Sequence, residues 1–117
     1  MIGSGGERSR DRRYAAGKMA SELAELTIFT ADNPRFEDID NIMKDLVEGL
    51  TQAGGGDYIV INDREEAIRY AIDNAKQGDY ILLIGKGHET YQEIKGVKHP
   101  FDESEIVKKI EKEKSCN

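Results

Sequence analysis

Residues 26–50 read Leu-Thr-Ile-Phe-Thr-Ala-Asp-Asn-Pro-Arg-Phe-Glu-Asp-Ile-Asp-Asn-Ile-Met-Lys-Asp-Leu-Val-Glu-Gly-Leu, and they decide the fold class. Leu26–Thr30 is short, apolar and rich in β-formers, which predicts a strand. Pro34 then breaks the chain and pushes the residue before it into an extended conformation. From about Asp38 to Leu50 the apolar positions Ile39, Ile42, Met43, Leu46, Val47 and Leu50 fall on one face of a helix. Strand, polar loop and amphipathic helix together make one half of a βαβ unit.

The same alternation continues on both sides. Upstream, Arg13 to Ala24 reads as a helix, with Ala16, Met19, Ala20 and Leu23 at helical spacing. Downstream, Gly54–Gly56 is a flexible connection and Tyr58–Ile61 a second strand. Asp63 is placed to cap a helix running to about Lys76, with Glu66 three residues on in a capping-box-like pattern, and Gly78 follows as a stop. Tyr80–Ile84 is continuously apolar, as expected of a parallel strand buried on both faces. Gln92–Val97 predicts a small hairpin turning at Lys95-Gly96. Asp102 can cap a last helix over Glu103–Lys112, with Ile106, Val107 and Ile110 inward. Strands alternating with helices imply right-handed crossovers and an α/β domain with a mostly parallel sheet flanked by helices. Met1-Ile2 is too short for a strand, yet the glycine-rich segment after it behaves like a strand-to-helix turn. The expectation is a domain lacking its first strand, a piece of something longer.

Composition narrows the function classes. A chain of 117 residues is one domain. A net charge of −6 argues against a nucleic-acid partner, which would need surplus Lys and Arg. The cationic residues Arg8, Arg10, Arg12 and Arg13 form only a local patch. Cys116 is the single cysteine, so an internal disulfide is impossible, in keeping with a reducing compartment. The longest apolar run, Ile81–Ile84, is far too short to span a membrane, and nothing resembles a signal peptide. A soluble, cytoplasmic domain without a membrane partner is expected.

In open α/β sheets, ligands bind beyond the carboxyl ends of the strands. The segments that follow the strands here are the chemically rich ones: Gly3-Ser4-Gly5-Gly6-Glu7-Arg8, Ala31-Asp32-Asn33-Pro34-Arg35 and Gly85-Lys86-Gly87-His88-Glu89. The segments that follow helices are bland turns. Three polar clusters therefore converge on one sheet edge. Gly3–Gly6 lacks the third glycine of a dinucleotide fingerprint, so an ordinary tight turn is the stronger reading. Gly85-Lys86-Gly87 lacks P-loop spacing, so the chain carries no ATP motif of its own. Asp32–Arg35 reads equally well as a turn or as a loop stiffened by Pro34 to aim the Arg35 guanidinium at a carboxylate. His88 and His99 have no third ligand at metal spacing, and no metal site is expected. Glu89, close after Gly85 and Gly87, suits an incoming ammonium better.

At these clusters, through GSGGER (Gly3–Arg8), DNPR (Asp32–Arg35) and GKGHETYQ (Gly85–Gln92), the sequence resembles the Mur ligases that add meso-diaminopimelate to a UDP-sugar dipeptide. The resemblance covers essentially the whole chain. It implies the Rossmann-like C-terminal domain of a three-domain enzyme whose other domains hold the UDP-N-acetylmuramoyl dipeptide and, at a P-loop, ATP and Mg2+. In that family ATP phosphorylates a glutamate carboxylate and the amine of the incoming amino acid attacks the acyl phosphate. Carried onto this chain, Arg35 pairs with the distal carboxylate of diaminopimelate and Asn33 hydrogen-bonds the same end. The Gly85 carbonyl and Glu89 hold the distal ammonium, and Arg8 is a second carboxylate contact. No catalytic residue is expected in this part, and alone it is expected to be inactive. The family commonly has Asp at the positions of Glu7 and Ser9, and Lys-Arg where Arg12-Arg13 stand. A stand-alone amino-acid-binding or regulatory module built on the same pocket is the alternative.

Overall fold

The structure is a computed structural model that describes residues 1–6, 9–86 and 88–115. Its elements run α1 (Arg10–Leu23), β1 (Leu26–Phe29), α2 (Ile39–Gln52), β2 (Asp57–Val60), α3 (Arg64–Asn74), β3 (Tyr91–Ile94), β4 (Val97–Pro100) and α4 (Glu103–Ser115). β1 and β2 pair in parallel, from Leu26 opposite Asp57 to Phe29 opposite Val60. On the other side of β1, Ile2 makes single parallel bridges to Phe29 and to Ile84. The sheet thus reads β2, β1, Ile2, Ile84 across its width.

Alternation along β1 sends neighbouring side chains to opposite faces. Phe29 joins the fully buried Ile42, Leu46 and Leu50 of α2, together with Met43, on one face. Ile28 joins Ala67 and Ala71 of α3 on the other. α4 lies against α3 through the buried Ile110 and a surface pair between Arg69 and Glu113. Caps fix the helix starts: Ser9 accepts from the Asp11 amide, Asp38 from Asp40, Asp63 from Glu66 and Asp102 from Glu105.

Two expectations are corrected. Tyr80–Ile84 is not a strand buried on both faces: only Ile84 makes a bridge, and Tyr80 is 94% exposed. The segment's sheet neighbour is the two-residue stretch Met1-Ile2, held by Ile84 N–H to the Met1 carbonyl at 3.0 Å and the Met1 amine to the Leu82 carbonyl at 2.8 Å. A single bridge at Ile84 is not a ladder, and the rest of the run stays outside the strands. In α1, Met19 and Leu23 do not face the core; they are exposed, and the inward positions are Arg13 and Gly17, with Ala16 and Ala20 beside them. The reason is distance. A Cβ on Gly17 would lie 2.1 Å from the Leu46 carbonyl oxygen, and one on Gly49 would lie 2.4 Å from that of Tyr14. α1 and α2 touch backbone to backbone, and large side chains are excluded from the seam.

The hairpin β3–β4 is antiparallel, with Ile94 opposite Val97. Lys95 and Gly96 have φ of 51° and 78°, the double left-handed pair of a type I′ turn. Its mooring is Arg35, whose N–H donates to the Glu93 carbonyl at 3.0 Å and whose carbonyl accepts from Lys95 N–H at 2.6 Å.

Candidate functional site

The three polar segments meet beyond the carboxyl ends of β1, Ile2 and Ile84. Backbone packing brings them together. Gly6 N–H donates to the Asn33 carbonyl at 2.7 Å, and a Cβ on Gly6 would overlap the Pro34 carbonyl at 1.7 Å. A Cβ on Gly3 would sit 2.3 Å from the Thr30 carbonyl oxygen. The glycines of the first turn therefore let one loop lie directly on another, which is the ordinary-turn reading of Gly3–Gly6. Two buried arginines brace this junction. Arg64 donates to the Ala31 carbonyl at 3.0 Å and the Ile84 carbonyl at 3.2 Å while paired with the buried Glu103 at 3.3 Å. Arg13 reaches Glu37 at 2.7 Å, Asp45 at 2.9 Å and the Gly5 carbonyl at 3.5 Å. Burial alone would push the Asp45 carboxyl up, but hydrogen bonds from Arg10 and Arg13 outweigh it and hold the carboxyl below its ordinary range.

The junction encloses a cleft of about 370 Å³ lined by the Gly3–Gly5 turn, Asp32, Asn33, Arg35, Gly85, Glu89, and Arg12 and Ala16 of α1. Four of the five residues expected to bind, Asn33, Arg35, Gly85 and Glu89, thus share one cavity. Arg8 lies outside the described residues. Asn33 is buried, and its Nδ2 donates to Glu89 Oε1 at 3.4 Å. Arg35 holds φ of 58°, an uncommon value for a non-glycine residue that costs on the order of 1 kcal/mol and clusters at functional sites. Its Nη1 donates to the carbonyls of Gly6 (3.1 Å) and Asn33 (3.4 Å), and its Nε stands 3.8 Å from Glu93 Oε2. Gly85 has φ of 117°, reserved in practice for glycine, and a Cβ there would touch the Asp32 carboxylate. Glu89 also accepts from the Tyr91 hydroxyl at 3.4 Å. His88 is exposed, and no group of three His, Cys, Asp or Glu that could hold a metal occurs among the described residues.

A wider hollow of about 1190 Å³ lies on the far side of Arg35, bordered by Phe36, Asp63, Phe101 and Ile106. The smaller cleft is the better candidate, because there two arginines, Arg12 and Arg35, and two carboxylates, Asp32 and Glu89, line one space. Such a set recognises a zwitterion, with a guanidinium taking a carboxylate and Asp32 or Glu89 an ammonium.

The family model described as "Mur ligase, glutamate ligase domain" matches residues 1–87. The chain belongs to this family. Among Mur ligases, the UDP-N-acetylmuramoyl-L-alanyl-D-glutamate–2,6-diaminopimelate ligase of Aquifex aeolicus is 46% identical over 111 residues, covering 94% of this chain and 22% of that protein. The ligase of the same name from Rickettsia typhi is 45% identical over 116 residues, covering 99% of this chain and 23% of that one. A solved structure of a ligase with this name superposes with a TM-score of 0.89 at 38% identity, over 97% of this chain and 23% of that one. The chain therefore spans less than a quarter of the length of these Mur ligases. The α/β fold expected from the sequence is the Mur ligase C-terminal fold.

Three buried cations of the junction, Arg13, Arg64 and Lys86, carry no site role in the sequence reading. Lys86 has no P-loop around it, yet it is buried beneath the cleft, and Arg13, which reads as part of a cationic patch, is buried as well. The signal for Lys86 is its place between two glycines in a polar segment that follows an apolar run.

Proposed function

We propose that this chain is the amino-acid-binding part of an ATP-dependent amide ligase that joins meso-diaminopimelate to UDP-N-acetylmuramoyl-L-alanyl-D-glutamate in peptidoglycan synthesis. One observation carries the reading: Asn33, Arg35, Gly85 and Glu89, far apart in sequence, line a single cleft with a basic and an acidic half. The activity for which the relatives are named supplies the substrate. Arg35 takes the distal carboxylate, with the Asn33 amide beside it. Glu89 and the Gly85 carbonyl take the distal ammonium, and Arg8 is a second carboxylate contact. L-Lysine lacks that carboxylate and forgoes the charge-assisted bond to the part-buried Arg35 guanidinium, a loss on the order of 1.5–3 kcal/mol.

ATP and Mg2+ belong to the same proposal as the cosubstrate and metal of the longer ligase. This chain's residues do not fit them: there is no P-loop, and no metal-holding group occurs among the described residues. The UDP-sugar dipeptide likewise falls to other domains. The compartment that fits this chemistry is the cytoplasm; no helix among the described residues is long and apolar enough to cross a membrane.

The test is an amide NMR titration of the 117-residue chain with meso-diaminopimelate and, separately, L-lysine. Shifts at Asn33, Arg35, Gly85 and Glu89 with meso-diaminopimelate are expected. Arg35→Ala should weaken that response about tenfold or more and leave L-lysine unaffected. A native chain that responds equally to both amino acids would remove Arg35 as the discriminator, and no response to either would refute binding by this chain.

A further inference from the structure

Beneath the cleft lies a cation to which the reading above gives no role. Lys86 is 2% exposed. Its Nζ donates to Asn33 Oδ1 at 3.0 Å and to the Tyr91 carbonyl at 2.8 Å. It also stands 3.2 Å from Asp32 Oδ1 and 3.6 Å from Glu89 Oε1, and about 6 Å above the rings of Tyr91 and Phe101. We propose that Lys86 is a positioning residue of the cleft, whose buried ammonium fixes the orientation of the Asn33 amide and sets the net charge of the site's acidic half. The ligand-dependent part of this rests on the function proposed above.

The amide argument is one of donors and acceptors. Asn33 Oδ1 accepts from the Lys86 ammonium and from Glu93 N–H at 2.9 Å, and neither partner can accept a hydrogen bond. The oxygen must therefore face them, and the Nδ2 donors must point the other way, to Glu89 and the cleft. Without the ammonium one of these two restraints is gone. The charge argument concerns Asp32 and Glu89. Both carboxylates line the cleft and both lie against the one ammonium, so that wall carries a single net negative charge. That single negative charge faces the Arg12 and Arg35 side chains across the cleft, an acidic side for the ammonium and a basic side for the carboxylate at the distal end of meso-diaminopimelate. Remove Lys86 and the wall carries two, which favours any distal ammonium whether or not a carboxylate accompanies it. L-Lysine then gains relative to meso-diaminopimelate. An arginine would not substitute, because its planar fork cannot point at all these oxygens from one atom.

Two measurements test this, the first without ligand or variant. In the native 117-residue chain labelled with ¹⁵N at lysine Nζ, the Lys86 ammonium should exchange slowly with water and show contacts to the Asn33 side-chain amide. An ammonium exchanging like the surface lysines would overturn the proposal. The second is Lys86→Met, which keeps length and burial and removes the charge. The Asn33 side-chain amide and the Glu93 N–H should shift, and the preference for meso-diaminopimelate over L-lysine should fall about tenfold. A purely structural lysine would lower stability and leave that ratio where it was, and an unchanged ratio in a folded variant would overturn the proposal. Should Lys86→Met not fold, the Nζ measurement decides. Failure of native binding would strike the proposed ligand, while the Nζ contacts report on Lys86 independently.

Discussion

Gly17→Ala is a substitution for which two well-known effects have opposite sign. Alanine is the better helix former, by about 1 kcal/mol at an exposed interior position. Here the position is buried at the α1–α2 seam, where the new Cβ would come within 2.1 Å of the Leu46 carbonyl oxygen and 2.8 Å of the Leu50 nitrogen. Both are backbone atoms of a helix, so no side chain can swing aside. To reach ordinary contact the helices must separate by about 1 Å, loosening Ala16 and Ala20 from the cluster around Phe29 and Leu46. Overpacking of this kind costs about 1–3 kcal/mol, and more where backbone must move. The clash outweighs the propensity gain, and a net loss of about 1–2 kcal/mol is expected, or roughly 4–10 °C in Tm for a domain of this size. Thermal unfolding by circular dichroism measures it, with Lys18→Ala on the exposed face of the same helix as the control, expected to change stability by less than about 0.5 kcal/mol. A Gly17→Ala chain as stable as the native one, or more so, would refute the close-seam argument. α1 also carries Arg12 and Arg13, so the same substitution should disturb the amides of Gly5 and Glu37 even though it is remote from them in sequence.

Two further outcomes follow from the buried charges. Arg64→Ala removes the partner of the buried Glu103 and the donor to the Ala31 and Ile84 carbonyls, and should cost about 3–5 kcal/mol by urea unfolding; a loss below about 1 kcal/mol would show that water replaces the guanidinium. Asp45 supplies a pH dependence of known sign. Its folded-state pKa lies below its ordinary value near 3.8, so its contribution is complete above that value and disappears as pH falls through the lower, folded-state one. Asp45→Asn should therefore be less stable than the native chain at neutral pH, and the difference should shrink below about pH 4; a difference that persists unchanged at pH 2–3 would contradict the ion pairs with Arg10 and Arg13.

What could be read in the sequence was whatever depends on near neighbours. The period of α2 placed it at 38–50, and it occupies Ile39–Gln52. The Asp63 and Asp102 caps hold their helices, and Lys95-Gly96 turns the hairpin as expected, because caps and two-residue turns are settled within a few residues. The gathering of polar loops at one sheet edge was also legible, since topology alone dictates it. Features that depend on distant partners were not. In α1, Ala16 and Ala20 face the core as expected but Met19 and Leu23 do not, because the seam with α2 admits only small residues, a fact stored in Gly17 and Gly49 together, thirty-two positions apart. Tyr80–Ile84 has the composition of a buried strand, but an apolar run does not say which residues pair with it, and only Ile84 makes a bridge. Lys86 was missed because its partners include Asn33, fifty-three residues upstream.

Arg35 divides its labour between two chemically separate parts. Its amide and carbonyl hold the hairpin through Glu93 and Lys95, while its guanidinium turns toward the Gly3–Gly6 turn and the cleft. The first task is blind to the identity of the side chain, provided that the residue tolerates φ of 58°. The second depends on nothing else. The position is therefore a socket: a different head group can be fitted there, and a different ligand read, while the frame that presents it stays moored by bonds that do not involve that side chain.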